Sequence, residues 1–142
     1  MKLLLAAALL TLPNAAQAKG DDVFCQDVRR LSRAAEETPP FRSLVAENFR
    51  PRLLAYGCSH NMRGGYTCLQ TLAPRGLTRE SVAQRIRACL PGATLTVRRD
   101  YLNHELIVRR GRFTASVSEH GAERAHVGRI INLYIDAPPS PR

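Results

Sequence analysis

The sequence predicts an α+β fold, a disulfide-stabilised two-layer sandwich in which an antiparallel sheet of about five or six strands carries two helices packed on one face. Three observations lead there. Two segments repeat apolar residues at helical spacing, several others alternate apolar and polar residues between turn-forming residues, and four cysteines stand in a chain that opens like an export substrate.

The opening comes first, because it sets the redox context. Lys2 supplies a minimal positive region, Leu3 to Leu12 form an apolar run, and Ala16-Gln17-Ala18 is an A-x-A cleavage signal. Residues 1–18 therefore read as a signal peptide, and the mature chain starts at Lys19. The apolar run is about half the roughly 20 residues that span a bilayer, so no transmembrane segment is expected after cleavage. Asp22-Val23-Phe24 do not resemble the small-residue box that precedes a lipidated cysteine, and no Asn-x-Ser/Thr acceptor site is present. A soluble periplasmic or secreted protein is expected. Cleavage leaves 124 of the 142 residues, the size of one domain. Its bounds read as 19–136, followed by a disordered tail, 137–142.

The first helix starts at Asp21 or Asp22 as N-cap and carries the stripe Phe24, Val28, Leu31 and Ala35 until Pro39-Pro40 ends it. Arg29, Arg30 and Arg33 lie off that stripe, on what reads as a solvated face. Phe41 to Arg52 reads as a strand or loop crossing to the sheet, with Pro51 breaking any helix. Leu53 to Ser59 and Tyr66 to Leu72 then form a hairpin across His60 to Gly65, where Gly64 and Gly65 supply positive φ. A hairpin centred on Arg63 sets Cys58 against Cys68, Tyr56 against Gln70 and Leu54 against Leu72.

The second helix starts at Thr78, has Glu80 in its first turn, and buries Val82, Ile86, Cys89 and Leu90 before Pro91-Gly92 stops it. A strand through Ala93, Leu95 and Val97 follows. A turn at Tyr101 to Asn103 brings Arg99 near Glu105, and Glu105 to Arg109 and Arg112 to Val117 flank a turn at Arg110-Gly111. The last strand places Val127, Arg129, Ile131, Leu133 and Ile135 on one side, with Asn132 and Tyr134 on the other.

Four cysteines allow three pairings. Cys58–Cys68 across the hairpin and Cys25–Cys89 between the helices are favoured, and Cys25–Cys58 with Cys68–Cys89 remains a rival. A metal centre built from Cys58, His60 and Cys68 would lack a fourth ligand and the usual spacing. Thiol redox catalysis would need a C-x-x-C pair, which is absent. No metal and no cofactor are expected.

The sequence also lacks H-E-x-x-H, G-x-S-x-G and G-x-x-x-x-G-K. His60, His104, His120 and His126 read as polar residues at strand ends and in loops. The favoured function is a non-catalytic binding or envelope-associated protein. Its formal net charge of +9 becomes +8 when Lys2 is removed, and 19 of the 20 remaining basic residues are arginine. That excess suits an anionic polymer or envelope surface, although on charge alone arginine-rich codon usage serving solubility is the favoured account. Candidate binding residues are Arg98, Arg99, Arg109, Arg110 and Arg112, in two clusters about 13 Å apart at the strand rise. Nucleic acid is the less favoured ligand, since the chain has no tryptophan and only Tyr101 and Phe113 lie near these arginines. The alternative is a ribonuclease-like phosphodiester hydrolase. It pairs Glu105 with His104, His120 or His126 as general acid and base and uses Arg109 or Arg112 on the phosphoryl transition state. This is an analogy to compact basic nucleases with an antiparallel sheet, and it requires Glu105, a histidine and an arginine on one face.

Overall fold

The computed structural model describes residues 22–101, 104–121, 126 and 128–139. The expected signal peptide, Asp21, the centre of the expected Tyr101 to Asn103 turn, Val127 and the last three residues of the expected tail lie outside the described residues. Helix α1, Val23–Ala34, begins where the Asp22 carboxylate accepts the Cys25 N–H at 2.9 Å, one of the amide donors that a helix start leaves unpaired. Phe24, Val28, Leu31 and Ala35 are all buried. Two arginines of the face expected to be solvated have structural partners instead. Arg29 donates to the Cys89 carbonyl at 3.0 Å, while Arg30 lies 4.3 Å over the Phe49 ring and pairs with Glu47.

A short helix α2, Arg42–Ala46, replaces the expected strand or loop. Phe41 and Leu44 are buried on one side of this single turn, and the Phe41 ring meets Tyr66 edge-on at 5.7 Å. The Glu37 carboxylate accepts the Ser43 N–H and hydroxyl. It thus caps from outside a helix whose N-cap residue, Phe41, offers no side-chain cap.

The hairpin strands are β1, Cys58–His60, and β2, Tyr66–Gln70. Both are shorter than the alternation suggested. The expected register holds at Cys58 against Cys68, but the Tyr56–Gln70 and Leu54–Leu72 pairs do not form. Leu53 and Leu54 fold into the core, and the Gln70 side chain accepts the Ala55 N–H in place of a ladder bond. Gly64 takes φ +88°. Gly65 is needed for a different reason: a Cβ there would stand 2.1 Å from the Ile135 carbonyl oxygen of the neighbouring strand.

Helix α3, Arg79–Cys89, opens with Thr78 and Ser81 capping one another reciprocally, and it buries Val82, Ile86 and Cys89. The remaining strands are β3, Thr94–Arg99; β4, His104–Arg110; β5, Phe113–His120; and β6, Ile130–Asp136. The six strands lie in the order β1-β2-β6-β5-β4-β3, and every neighbouring pair is antiparallel. The β4–β5 turn is Gly111-Arg112, one residue later than expected, because Gly111 holds φ +58° and Arg110 pairs with Phe113.

Period-two alternation sends Leu106, Val108, Ala115, Val117, Leu133 and Ile135 to one face, where they are buried with the helix residues in a single core. All three helices belong to this side, α3 lying over β3, β4 and β5. Ala137 is buried too, so the core runs one residue past the expected boundary.

Both favoured disulfides are present: Cys25–Cys89 with Cα atoms 5.1 Å apart, and Cys58–Cys68 with Cα atoms 4.1 Å apart. The rival pairing is excluded, and no cysteine is free. Such bonds persist in an oxidising, extracytoplasmic environment. A bridge stabilises by removing chain entropy from the unfolded state, more for a longer loop, and the two bridges span 64 and 10 residues. Replacing both members of Cys25–Cys89 by alanine should cost about 4 kcal/mol, and replacing those of Cys58–Cys68 about 3 kcal/mol. Urea unfolding reads both values, and the opposite order of losses would contradict the loop-length account.

Candidate functional site

Which arginines share a face follows from register. Arg98 stands against Glu105, Glu105 against Ser118, Ser118 against Asn132 and Asn132 against Leu69, so these five residues cross the sheet in one row. Leu106 and Val117, one position away, lie on the helix-covered face, which puts the row on the face without helices. His120 is on that face as well, and its Nε2 lies 3.2 Å from the Ser118 hydroxyl. Arg109 shares the face, with the buried Ile107 between it and Glu105.

Of the residues in the hydrolase reading, Glu105, His120 and Arg109 therefore occupy one face, joined by Arg98. The others do not. His104 pairs with Arg99 on the helix-covered face, where its carbonyl accepts from the Arg79 guanidinium at 3.3 Å. His126 is exposed outside the strands. Arg112 holds the β4–β5 turn against the end of α1: its amide donates to Glu36 at 2.7 Å and its guanidinium to the Glu37 carbonyl at 3.1 Å.

The binding arginines sort differently from the sequence expectation. Arg98, rather than Arg99, pairs with Glu105, and this shift of one residue exchanges their faces. Arg98 and Arg109 lie on the open face, Arg99 and Arg110 on the other, and Arg112 leaves the set because it is structural. The four that remain are exposed, sit on the adjacent strands β3 and β4, and form no hydrogen bond or ion pair through their guanidinium groups among the described residues. Elsewhere arginine charge is engaged: Arg85 meets Asp22 at 2.6 Å, Arg79 meets Glu80 at 2.8 Å and Arg129 meets Glu119 at 2.8 Å. Arg33, Arg50, Arg63 and Arg87 also lack an ion pair among the described residues, but they lie on helices or loops.

Cys58 and Cys68 are bonded to each other, so neither offers a thiolate beside His60. Among the described residues, no three histidine, cysteine, aspartate or glutamate side chains are grouped to hold a metal ion. The sequence reading missed the Ser118–His120 pair, although Ser-Glu-His on an alternating strand was a usable signal for it. It also missed the role of Arg129, a charged residue within an otherwise apolar stripe. Arg129 donates to Glu119 and, at 2.7 Å, to the Leu77 carbonyl; Glu119 also accepts the Arg79 amide at 3.2 Å. This network ties β5 to the start of α3. No family model, curated protein or solved structure matches the chain.

The Arg129 hydrogen bond, more than any other contact, holds the Glu119 carboxyl below its ordinary range. A carboxyl lowered in the folded state adds stability that is present above its unfolded pKa and disappears as pH falls through its folded value. Glu119→Gln should cost about 1–3 kcal/mol at neutral pH. It should also flatten the loss of stability below about pH 5. Urea melts across an acid series test this, and parallel losses in wild type and variant would contradict it.

Proposed function

We propose that the protein is a small exported, non-catalytic binding protein that recognises an anionic polymer or envelope surface through Arg98, Arg99, Arg109 and Arg110. One observation carries this reading: four exposed arginines stand close together on the neighbouring strands β3 and β4, none of them in an ion pair among the described residues, although Glu105 stands across the ladder from Arg98. Guanidinium groups fit carboxylate, sulfate and phosphate in a bidentate manner. Each exposed contact contributes only about 0.2–1 kcal/mol, so a polymer that meets several at once is the suitable ligand. Export by a signal peptide to the periplasm or medium belongs to the same reading, and the two disulfides support it.

Retention on a sulfated matrix across a salt series separates this patch from mere net charge. The Arg98, Arg99, Arg109, Arg110 quadruple alanine variant should elute at clearly lower salt than wild type. A control replacing Arg33, Arg50, Arg63 and Arg87 removes the same formal charge and should shift less. Equal shifts would reduce the effect to net charge.

A second reading draws on the open face. Glu105 and His120 are diagonal neighbours there, with Cα atoms about 7–8 Å apart, which leaves space for a phosphodiester between general base and general acid. Arg98 beside Glu105 would offset charge on the phosphoryl group. This reading expects wild type to cleave an RNA dinucleotide, and Glu105→Gln or His120→Ala to slow cleavage by about a hundredfold or more. Absence of turnover in wild type removes it.

A further inference from the structure

The two edges of the sheet are unlike. At one edge β1 is three residues long, and its first amide, Cys58 N–H, donates to the Pro51 carbonyl at 3.1 Å. At the other edge β3 runs for six residues, all paired with β4, and contains neither glycine nor proline. Among the described residues its backbone makes no hydrogen bond beyond that ladder. Every second residue of β3 therefore has an N–H and C=O that no described residue pairs. Its side chains are exposed except for half-buried Leu95, and Val97 is 53% exposed.

A strand edge left open in this way is a template for another backbone. Its charge states which backbone fits. Arg98 and Arg99 end the strand, one on each face of the sheet, and Arg109 and Arg110 on β4 repeat that arrangement near Thr94. No acidic residue occurs between Thr94 and Arg99. A second copy would bring the same four arginines against two carboxylates, Asp100 just past β3 and Glu105 opposite Arg98, whereas an acidic segment would find Arg98 and Arg99 at one end of the edge, one on each face, and Arg109 and Arg110 one strand further in at the other. We propose that β3 takes up an extended acidic polypeptide segment as a seventh strand. Acidic residues at the ends of that segment lie against the arginine pairs, and β-branched residues between them lie against Leu95 and Val97. This rests on the reading that these arginines bind anions. It adds that the ligand is a polypeptide, because a polysaccharide or phosphate polymer cannot continue the amide ladder.

The test uses the full-length, oxidised protein and a fluorescein-labelled peptide, Glu-Glu-Val-Thr-Val-Thr-Glu-Glu. A second peptide has the same side chains with alternate amides N-methylated, and dextran sulfate serves as a polyanion without a peptide backbone. Anisotropy should show the first peptide binding, the N-methylated one binding roughly tenfold or more weakly, and Arg98→Glu with Arg99→Glu weakening the first by a similar factor. Amide exchange of β3 should slow when the first peptide is added and stay unchanged with dextran sulfate. If the N-methylated peptide binds equally well, or β3 exchange does not respond, strand addition is wrong while anion binding stands. If neither dextran sulfate nor the peptide binds, the underlying reading falls as well. Concentration-dependent self-association lost in Val97→Asp would make a second copy the occupant and overturn the proposal.

Discussion

The Cys25–Cys89 bond joins the first turn of α1 to the last residue of α3, and both helices reach the core through residues near it: Phe24 and Val28 from one, Val82 and Ile86 from the other. Arg29 adds a hydrogen bond to the Cys89 carbonyl at the same point. A small domain buries a limited apolar area, so fixing the helical layer by a covalent link over a 64-residue separation has large leverage on whether the layer forms at all. Once the helices lie on one side, the opposite face of an antiparallel sheet can meet water without penalty. The open face follows from the helical layer lying on one side, and the strand order leaves β3 at the sheet's edge.

Charge is distributed to match. Arginines at the helix–helix and helix–sheet seams are engaged: Arg85 lies 4.0 Å over the Phe24 ring and bridges to Asp22, Arg129 locks Glu119 to the start of α3, and Arg112 pins a turn to the end of α1. These contacts use the planar guanidinium as a multi-donor group, which lysine could not replace. Arginine abundance in this chain is therefore partly architectural. The excess on β3 and β4 is not, since four arginines there face one carboxylate, Glu105 opposite Arg98, and none of the four forms an ion pair among the described residues.

Much of this was legible in the sequence because local signals agreed. Asp22, Thr78, the stripes of α1 and α3 and the Gly-Gly turn each named their element, and two cysteines one hairpin apart fixed the register at Cys58 against Cys68. Three things were not legible. The single turn of α2 carries no helical period; it exists because Phe41 and Leu44 find the core and Glu37 supplies a cap from outside. Strand ends depend on competing partners, as when the Gln70 side chain takes the Ala55 amide. The faces of Arg98 and Arg99 turned on one residue of register across a turn with no strong signal, and in a structure of period two that single step exchanges open face for covered face. Arg112 looked like part of a surface cluster because sequence cannot show that Glu36 and Glu37 wait at the end of α1.

The central claim is that the β3–β4 edge, rather than the molecule's charge as a whole, is where an anion is held. Arginine side-chain NMR addresses it directly, with the oxidised protein titrated with a short sulfated oligosaccharide at physiological ionic strength. The account predicts that the Nε–Hε signals of Arg98, Arg99, Arg109 and Arg110 move together and saturate, while those of Arg33, Arg50, Arg63 and Arg87 stay in place. Uniform small shifts over every exposed arginine, or shifts confined to the helical layer, would contradict it.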